Sequence, residues 1–317
     1  MSTALTFGPV PSRRLGRSLG INHIPPKVCS YSCIYCQVGR TTRHTAEPST
    51  FPRPEEILAA VEARMDEASA RGEPIDYVTF VPDGEPTLDR GLGRAIRLLG
   101  RLGVPVAVIT NGSLLWRPEV REALGAADWV SVKVDAVAGE VWRRVNHPAP
   151  GLEAGVVLEG IQRFAAGFGG TLCTETMLVK GVNDGPGPVG EVAGFAAGLE
   201  PATAYLAVPT RPPAMPGVRR PGVRALVRAH RQMTGLIGRV ELLIGYEGDA
   251  FASTGDLEAD LLAVAAVHPL RRSAVGRLLA EAGAGWDRVE ALIRSGDLAC
   301  VTYDGERYYL RRPAGGA

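Results

Sequence analysis

Lysine is almost missing from this 317-residue chain: only Lys27, Lys133 and Lys180 occur, and every other full cation is an arginine. The arginine excess reads as genomic base bias, which makes each surviving lysine worth attention. Net charge is also small, at +1, and argues against a chain-wide electrostatic grip on nucleic acid or anionic lipid. Long apolar runs are absent: none approaches the ~18 residues of a membrane span, and "MSTALTFGPVPSRRLG" has no apolar signal core. The expected compartment is the cytoplasm. Cysteine is scarce too. Of five, Cys29, Cys33 and Cys36 fall within eight residues while Cys173 and Cys300 lie far off, which excludes a disulfide framework. There is no P-loop, Rossmann fingerprint or hydrolase elbow; "GFGG" at 167–170 stands between a helix and a strand, as a helix stop.

What is present is a regular alternation. Strand-like runs "SLGINHI", "DYVTFV", "VPVAVIT", "WVSVKVDA", "TLCTETMLV" and "TAYLAV", with a later "VELLIG", are separated by segments whose apolar residues recur at three and four. Repeated β-α units force parallel strands and right-handed crossovers. The expected fold class is α/β, a partial (β/α)6 TIM-like barrel over residues 1–245, with an open doubly wound sheet as the competitor. Residues 246–258 read as a polar linker. Over 259–317, three helical patterns and two β runs around Asp304-Gly305 read as a small winged helix-turn-helix domain.

The cysteine cluster follows the first strand, and active sites of parallel barrels are built on such βα loops. Thiolates at spacings of four and three suit one cubane [4Fe–4S] cluster, leaving one iron without a protein ligand. A zinc site completed by Cys173 or His23 is the alternative. In "WVSVKVDA", alternation sets Val130, Val132 and Val134 toward covering helices, and Ser131, Lys133 and Asp135 into the lumen. Strand five similarly turns Glu175 inward, toward either substrate or Lys133. Asn111 after strand three is a turn residue or a cofactor contact, and Arg211 after strand six a contact for an anionic substrate. Arg13, Arg14 and Arg40 flank the cluster region as possible carboxylate partners.

"CSYSCIYC" resembles Cys-x3-Cys-x-aromatic-Cys, the signature of the radical SAM superfamily. The resemblance implies that the open iron chelates S-adenosylmethionine (SAM), whose reductive cleavage yields a 5′-deoxyadenosyl radical that abstracts a substrate hydrogen. It places Tyr35 near the adenine. Gly84, Glu85 and Pro86 of "PDGEPTLD" resemble the Gly-Gly-Glu element at the methionyl ammonium, with Asp83 standing where the first glycine often sits. Ser131 or Lys133 takes the ribose position. The metal ligands are then Cys29, Cys33 and Cys36; the SAM contacts Tyr35, Gly84, Glu85, Pro86, Asn111, Ser131 and Lys133; and the candidate catalytic carboxylates Asp135 and Glu175.

"FGPVPSRRLGRSLGINHIPPKVCSYSCIYCQVGRT" further resembles the Fe–S oxidoreductases related to the tRNA wyosine-synthesis enzyme, in short bacterial members with a C-terminal winged helix. That enzyme's second cluster needs another cysteine trio, and only Cys173 and Cys300 remain here. Expected partners are a reductant such as flavodoxin or ferredoxin and a peptide, small-molecule or tRNA substrate. Residues 257–317 hold eight arginines, no lysine and eight acidic residues, a balance that counts against DNA. A tRNA-modifying enzyme, a glycyl-radical activase and a non-catalytic regulator are the rival functions.

Overall fold

The period-two runs assemble into one curled, eight-stranded mixed sheet, a half-barrel, in a computed structural model that describes residues 5–244 and 255–311. Along the chain, β1 (Thr6–Ser12) and β2 (Gly16–Ile21) are antiparallel, and β3 (Val28–Cys29) pairs with β4 (Arg43–His44) beside the cysteine loop. There follow α1 (Pro54–Ala70), β5 (Tyr77–Phe80), α2 (Leu92–Leu99), β6 (Val106–Thr110), α3 (Pro118–Leu124) and β7 (Trp129–Lys133). The series continues with α4 (Gly139–Asn146), α5 (Ala154–Gly167), β8 (Thr171–Met177), α6 (Pro186–Ala197), β9 (Thr203–Ala207), α7 (Val223–Thr234) and β10 (Val240–Leu243).

The sheet order is β1-β2-β5-β6-β7-β8-β9-β10, every neighbour from β2 onward parallel. The six-unit reading is therefore short by the seventh parallel strand, β10, and by β1. "TFGPVPS" carries Pro9 and Pro11, which a central strand would not tolerate. As the sheet's edge, β1 needs hydrogen bonds on one side only. Proline opens α1, α3 and α6, where its missing N–H costs nothing.

Val130, Val132 and Val134 are buried in the main core with Leu92 and Ile96 of α2 and Val157 and Ile161 of α5. Opposite them, Ala107, Trp129, Cys173 and Tyr205 form an apolar plug in the lumen, reaching at Tyr205 the level of Glu175. The polar groups Lys133, Asp135 and Glu175 stand toward the end where the strands run out into loops.

After the half-barrel come α8 (Leu257–Val267), β11 (Leu270–Arg271), α9 (Arg272–Glu281), α10 (Trp286–Arg294), β12 (Leu298–Tyr303) and β13 (Glu306–Arg311). The strands form a small antiparallel sheet, β11-β13-β12, on a separate apolar core that includes Leu261, Val275, Leu278 and Tyr309. Asp304 and Gly305 both take positive φ, as a two-residue hairpin requires. Helix α8 begins inside the stretch read as a linker, with the Asp256 carboxylate accepting from Ala259 N at 3.1 Å; residues 246–254 of that stretch lie outside the described residues. Tyr308 Oη donates to Thr210 O (2.9 Å), and Gln37 Nε2 donates to Val267 O (3.1 Å). The module thus rests on the loop after β9 and on the residue after Cys36. Among the described residues, no helix is long and apolar enough to cross a membrane.

Candidate active site

The cysteine loop is held by backbone hydrogen bonds from two sides. Lys27 N donates to Asp83 O (3.2 Å) and Glu85 N to Val28 O (3.1 Å), while Ile34 N reaches Val145 O (3.1 Å) and Ser32 N reaches Asn146 O (3.0 Å) at the end of α4. Gly84 permits the first of these approaches. A Cβ there would lie 2.3 Å from Val28 O, so any side chain would drive the two loops apart.

Each of the three sulfurs has an N–H donor from a different residue. Asn111 Nδ2 points at Cys29 Sγ (3.7 Å), Asn146 Nδ2 at Cys33 Sγ (3.4 Å) and Lys27 Nζ at Cys36 Sγ (3.4 Å). Burial raises the thiol pKa values of Cys29 and Cys33, the latter to about 12, and the neighbouring sulfurs add to both shifts. A compensating positive charge, as a metal would bring, favours their thiolate forms. Among the described residues, no three His, Cys, Asp or Glu side chains converge on a single ion. A cubane asks for a different arrangement, one sulfur on each of three irons. With N–H groups already turned to all three sulfurs, the loop's donor set fits a cluster.

Glu85 is 2% exposed and fully engaged. Oε1 accepts from Thr87 N (3.1 Å), Thr87 Oγ1 (2.6 Å) and Thr110 Oγ1 (2.5 Å), and Oε2 from Asn111 N (2.9 Å). It welds the "GEP" turn to the end of β6 and so sets Asn111 against Cys29. Pro86 opens the short 3-10 turn Pro86–Leu88 and is buried.

The inward row of β7 is where alternation puts it. Lys133 and Glu175 are register partners, and Lys133 Nζ lies 2.7 Å from Glu175 Oε1. Arg14 takes the other oxygen, Oε2. Burial alone would raise the Glu175 pKa, but Lys133 and Arg14 more than offset it and hold the carboxyl down at about 2. The Lys133 ammonium also sits 5.1 Å over the Tyr35 ring. Asp135 Oδ2 accepts from Tyr35 Oη and from Asn146 Nδ2 (2.7 Å), and Oδ1 from Met177 N (2.8 Å). Both candidate catalytic carboxylates are therefore consumed inside the protein: Asp135 orients Tyr35 and Asn146, and Glu175 neutralises two cations. Ser131 differs, its Oγ fully buried without a hydrogen-bond partner in the lumen wall.

His23 lies edge-on to Phe80, 3.7 Å from Asp89, and burial lowers its pKa to about 3. Cys173 belongs to the apolar plug. Arg211 donates to Gln37 Oε1 (3.2 Å) and meets His268 Nε2, joining cluster loop to C-terminal module. Sequence reasoning missed the sulfur donors Lys27 and Asn146. Lysine scarcity is the one signal for the first; the second ends α4, an eight-residue helix too short to show a repeated three-and-four apolar spacing.

A curled parallel half-barrel with a three-thiol loop at the mouth of its first parallel strand defines the class. Residues 24–187 match the family model "Radical SAM superfamily", and the chain belongs to that superfamily. It is 40% identical over 309 residues to the UPF0026 protein MJ1312 of Methanocaldococcus jannaschii, covering 97% of this chain and 96% of the relative. The fold is similar to that of a radical SAM methyltransferase from Sphaerobacter thermophilus (TM-score 0.57, 20% identity, 72% of this chain and 66% of that one). It is also similar to Streptococcus suis SuiB bound to S-adenosylmethionine (TM-score 0.52, 13% identity, 70% and 49%). Membership implies a [4Fe–4S] cluster and SAM as cofactors.

Proposed function

We propose that the protein is a radical SAM enzyme in which Cys29, Cys33 and Cys36 hold the [4Fe–4S] cluster. When bound, the cluster and SAM supply one-electron cleavage of the carbon–sulfur bond, giving the 5′-deoxyadenosyl radical that takes a hydrogen from the substrate. One observation carries the reading: three thiols on one loop, each faced by its own N–H donor, at the loop end of a radical SAM half-barrel. The chain's residues do the holding. Gly84, Glu85 and Pro86 form the turn beside the cluster loop, and Asn111 is set by Glu85. The Lys133 ammonium, over the Tyr35 ring, is the polar group offered to SAM in the lumen; Ser131, fully buried and level with the plug residue Cys173, belongs to the wall beneath it. Asp135 and Glu175 act as positioning residues, through Tyr35 and Asn146 and through Lys133 and Arg14.

The substrate is a peptide, small molecule or tRNA, and the electron comes from a flavodoxin- or ferredoxin-type protein in the cytoplasm, where thiols stay reduced. The branch is that of the tRNA wyosine-synthesis enzyme without its second cluster, since Cys173 is in the apolar plug and Cys300 is exposed on β12. We take the C-terminal module as a winged helix that docks on the barrel mouth and not on DNA. Anaerobic reconstitution with iron and sulfide, followed by dithionite and SAM, should release 5′-deoxyadenosine, measured by mass spectrometry; Cys33→Ala should release none. A loaded, reduced cluster that leaves SAM intact would favour the non-catalytic regulator instead.

A further inference from the structure

One of the three lysines stands two residues before the first cluster cysteine. Lys27 is only 3% exposed, and its φ of 61° is a left-handed conformation that non-glycine residues rarely adopt. Both sides of its backbone are fixed: its N–H is given to Asp83 O, and its carbonyl accepts from Thr42 N (3.0 Å) and Arg43 N (3.2 Å). An unfavourable backbone conformation kept in place by its neighbours points to a demand on the side chain.

That side chain ends 3.4 Å from Cys36 Sγ. The other two sulfurs receive neutral amide donors, from Asn111 and Asn146, so Cys36 is the sulfur hydrogen-bonded by a full cation, while Lys133 acts on Cys33 only through space. On the far side of the charge balance are buried carboxylates: Glu85 acts on Cys29, Asp135 on Cys33, and Asp83, with Oδ1 unpartnered, on Lys27 itself. Adding one electron to a thiolate-bound cluster makes it more negative. A buried cation beside a sulfur favours that state and a buried carboxylate opposes it, strongly so where the dielectric is low.

We propose that Lys27 is a positioning residue that raises the reduction potential of the cluster through Cys36, with Asp83 as the opposing charge. This rests on the reading above, that Cys29, Cys33 and Cys36 hold a [4Fe–4S] cluster. The test uses full-length wild type, Lys27→Met, Lys27→Arg and Asp83→Asn, reconstituted anaerobically and assayed for iron and sulfide per chain. Each is then titrated with dithionite in the presence of redox mediators, and the reduced cluster is read by electron paramagnetic resonance. Lys27→Met should lose about tenfold in reduced-to-oxidised ratio at fixed potential, ~59 mV for one electron. Lys27→Arg should stay near wild type, and Asp83→Asn should shift upward. Equal midpoints for wild type and Lys27→Met, or shifts of the same sign for Lys27→Met and Asp83→Asn, overturn the proposal. If Lys27→Met takes up no iron, Asp83→Asn decides: an unmoved midpoint there is equally fatal. A loaded wild type that fails to cleave SAM sinks the functional reading alone, whereas one that binds no iron sinks both.

Discussion

Gly84 shows how much a single residue carries here, because the carbonyl of Val28 occupies the space a side chain would need. Gly84→Ala should destabilise the fold by ~1–3 kcal/mol through overpacking, and it should lower the iron bound per chain after reconstitution. Thermal melts and iron assays check the two effects separately. Asp89 invites a test of opposite sign. Burial lifts its pKa to about 6, from 3.8. A raised carboxyl stabilises the fold fully below the ordinary value and loses that contribution as pH climbs through 6. Asp89→Asn should therefore be more stable than wild type at pH 7 by ~1–3 kcal/mol, and the gap should close below about pH 4; urea melts across that range would show it. At this scale the cysteine trio was legible because its spacing is local. Arg14 and Glu175 are 161 residues apart, and no local pattern reports so distant a pair.

Strand β7 and the two residues after it were readable, since period-two alternation sends their valines and the Ser131–Lys133–Asp135 row to opposite faces whatever the neighbours are. The other elements obeyed weaker signals. Strand β1 hides its strand character behind two prolines, the same residues that fit it to the sheet edge. Helix α7 buries only Ala229 and Met233 and leaves Val223 and Val227 exposed among arginines, so its apolar stripe is thin. The β7–β8 pair makes a specific prediction. With its pKa held near 2, Glu175 contributes ~2–4 kcal/mol that is present above the ordinary value of 4.5 and lost as pH falls from there toward 2. Glu175→Gln strands Arg14 and Lys133 in the lumen and should cost roughly 3–5 kcal/mol at neutral pH. Its deficit against wild type, followed by chemical denaturation, should be constant above pH 5 and shrink below 4.5.

For the molecule as a whole, a net charge of +1 conceals a local imbalance: residues 201–240 hold seven arginines and no acidic residue. A chain-wide sum could not reveal it, and composition says nothing of how the C-terminal module sits. The module's seat includes Arg211, between Gln37 and His268. Arg211→Ala should speed amide hydrogen exchange in Leu257–Val267 while leaving Trp129–Lys133 protected, as mass spectrometry would resolve; equal exchange would show that the seat does not depend on it. The groups that steady the sulfurs come from the turn after β6, the end of α4 and the cysteine loop itself, which Gly84 lets settle against the turn after β5. No short nascent peptide contains them all. If the three thiols hold a cluster, its retention depends on the folded half-barrel, and lesions remote from the cysteines that loosen the barrel should surface first as protein that is made but left without iron.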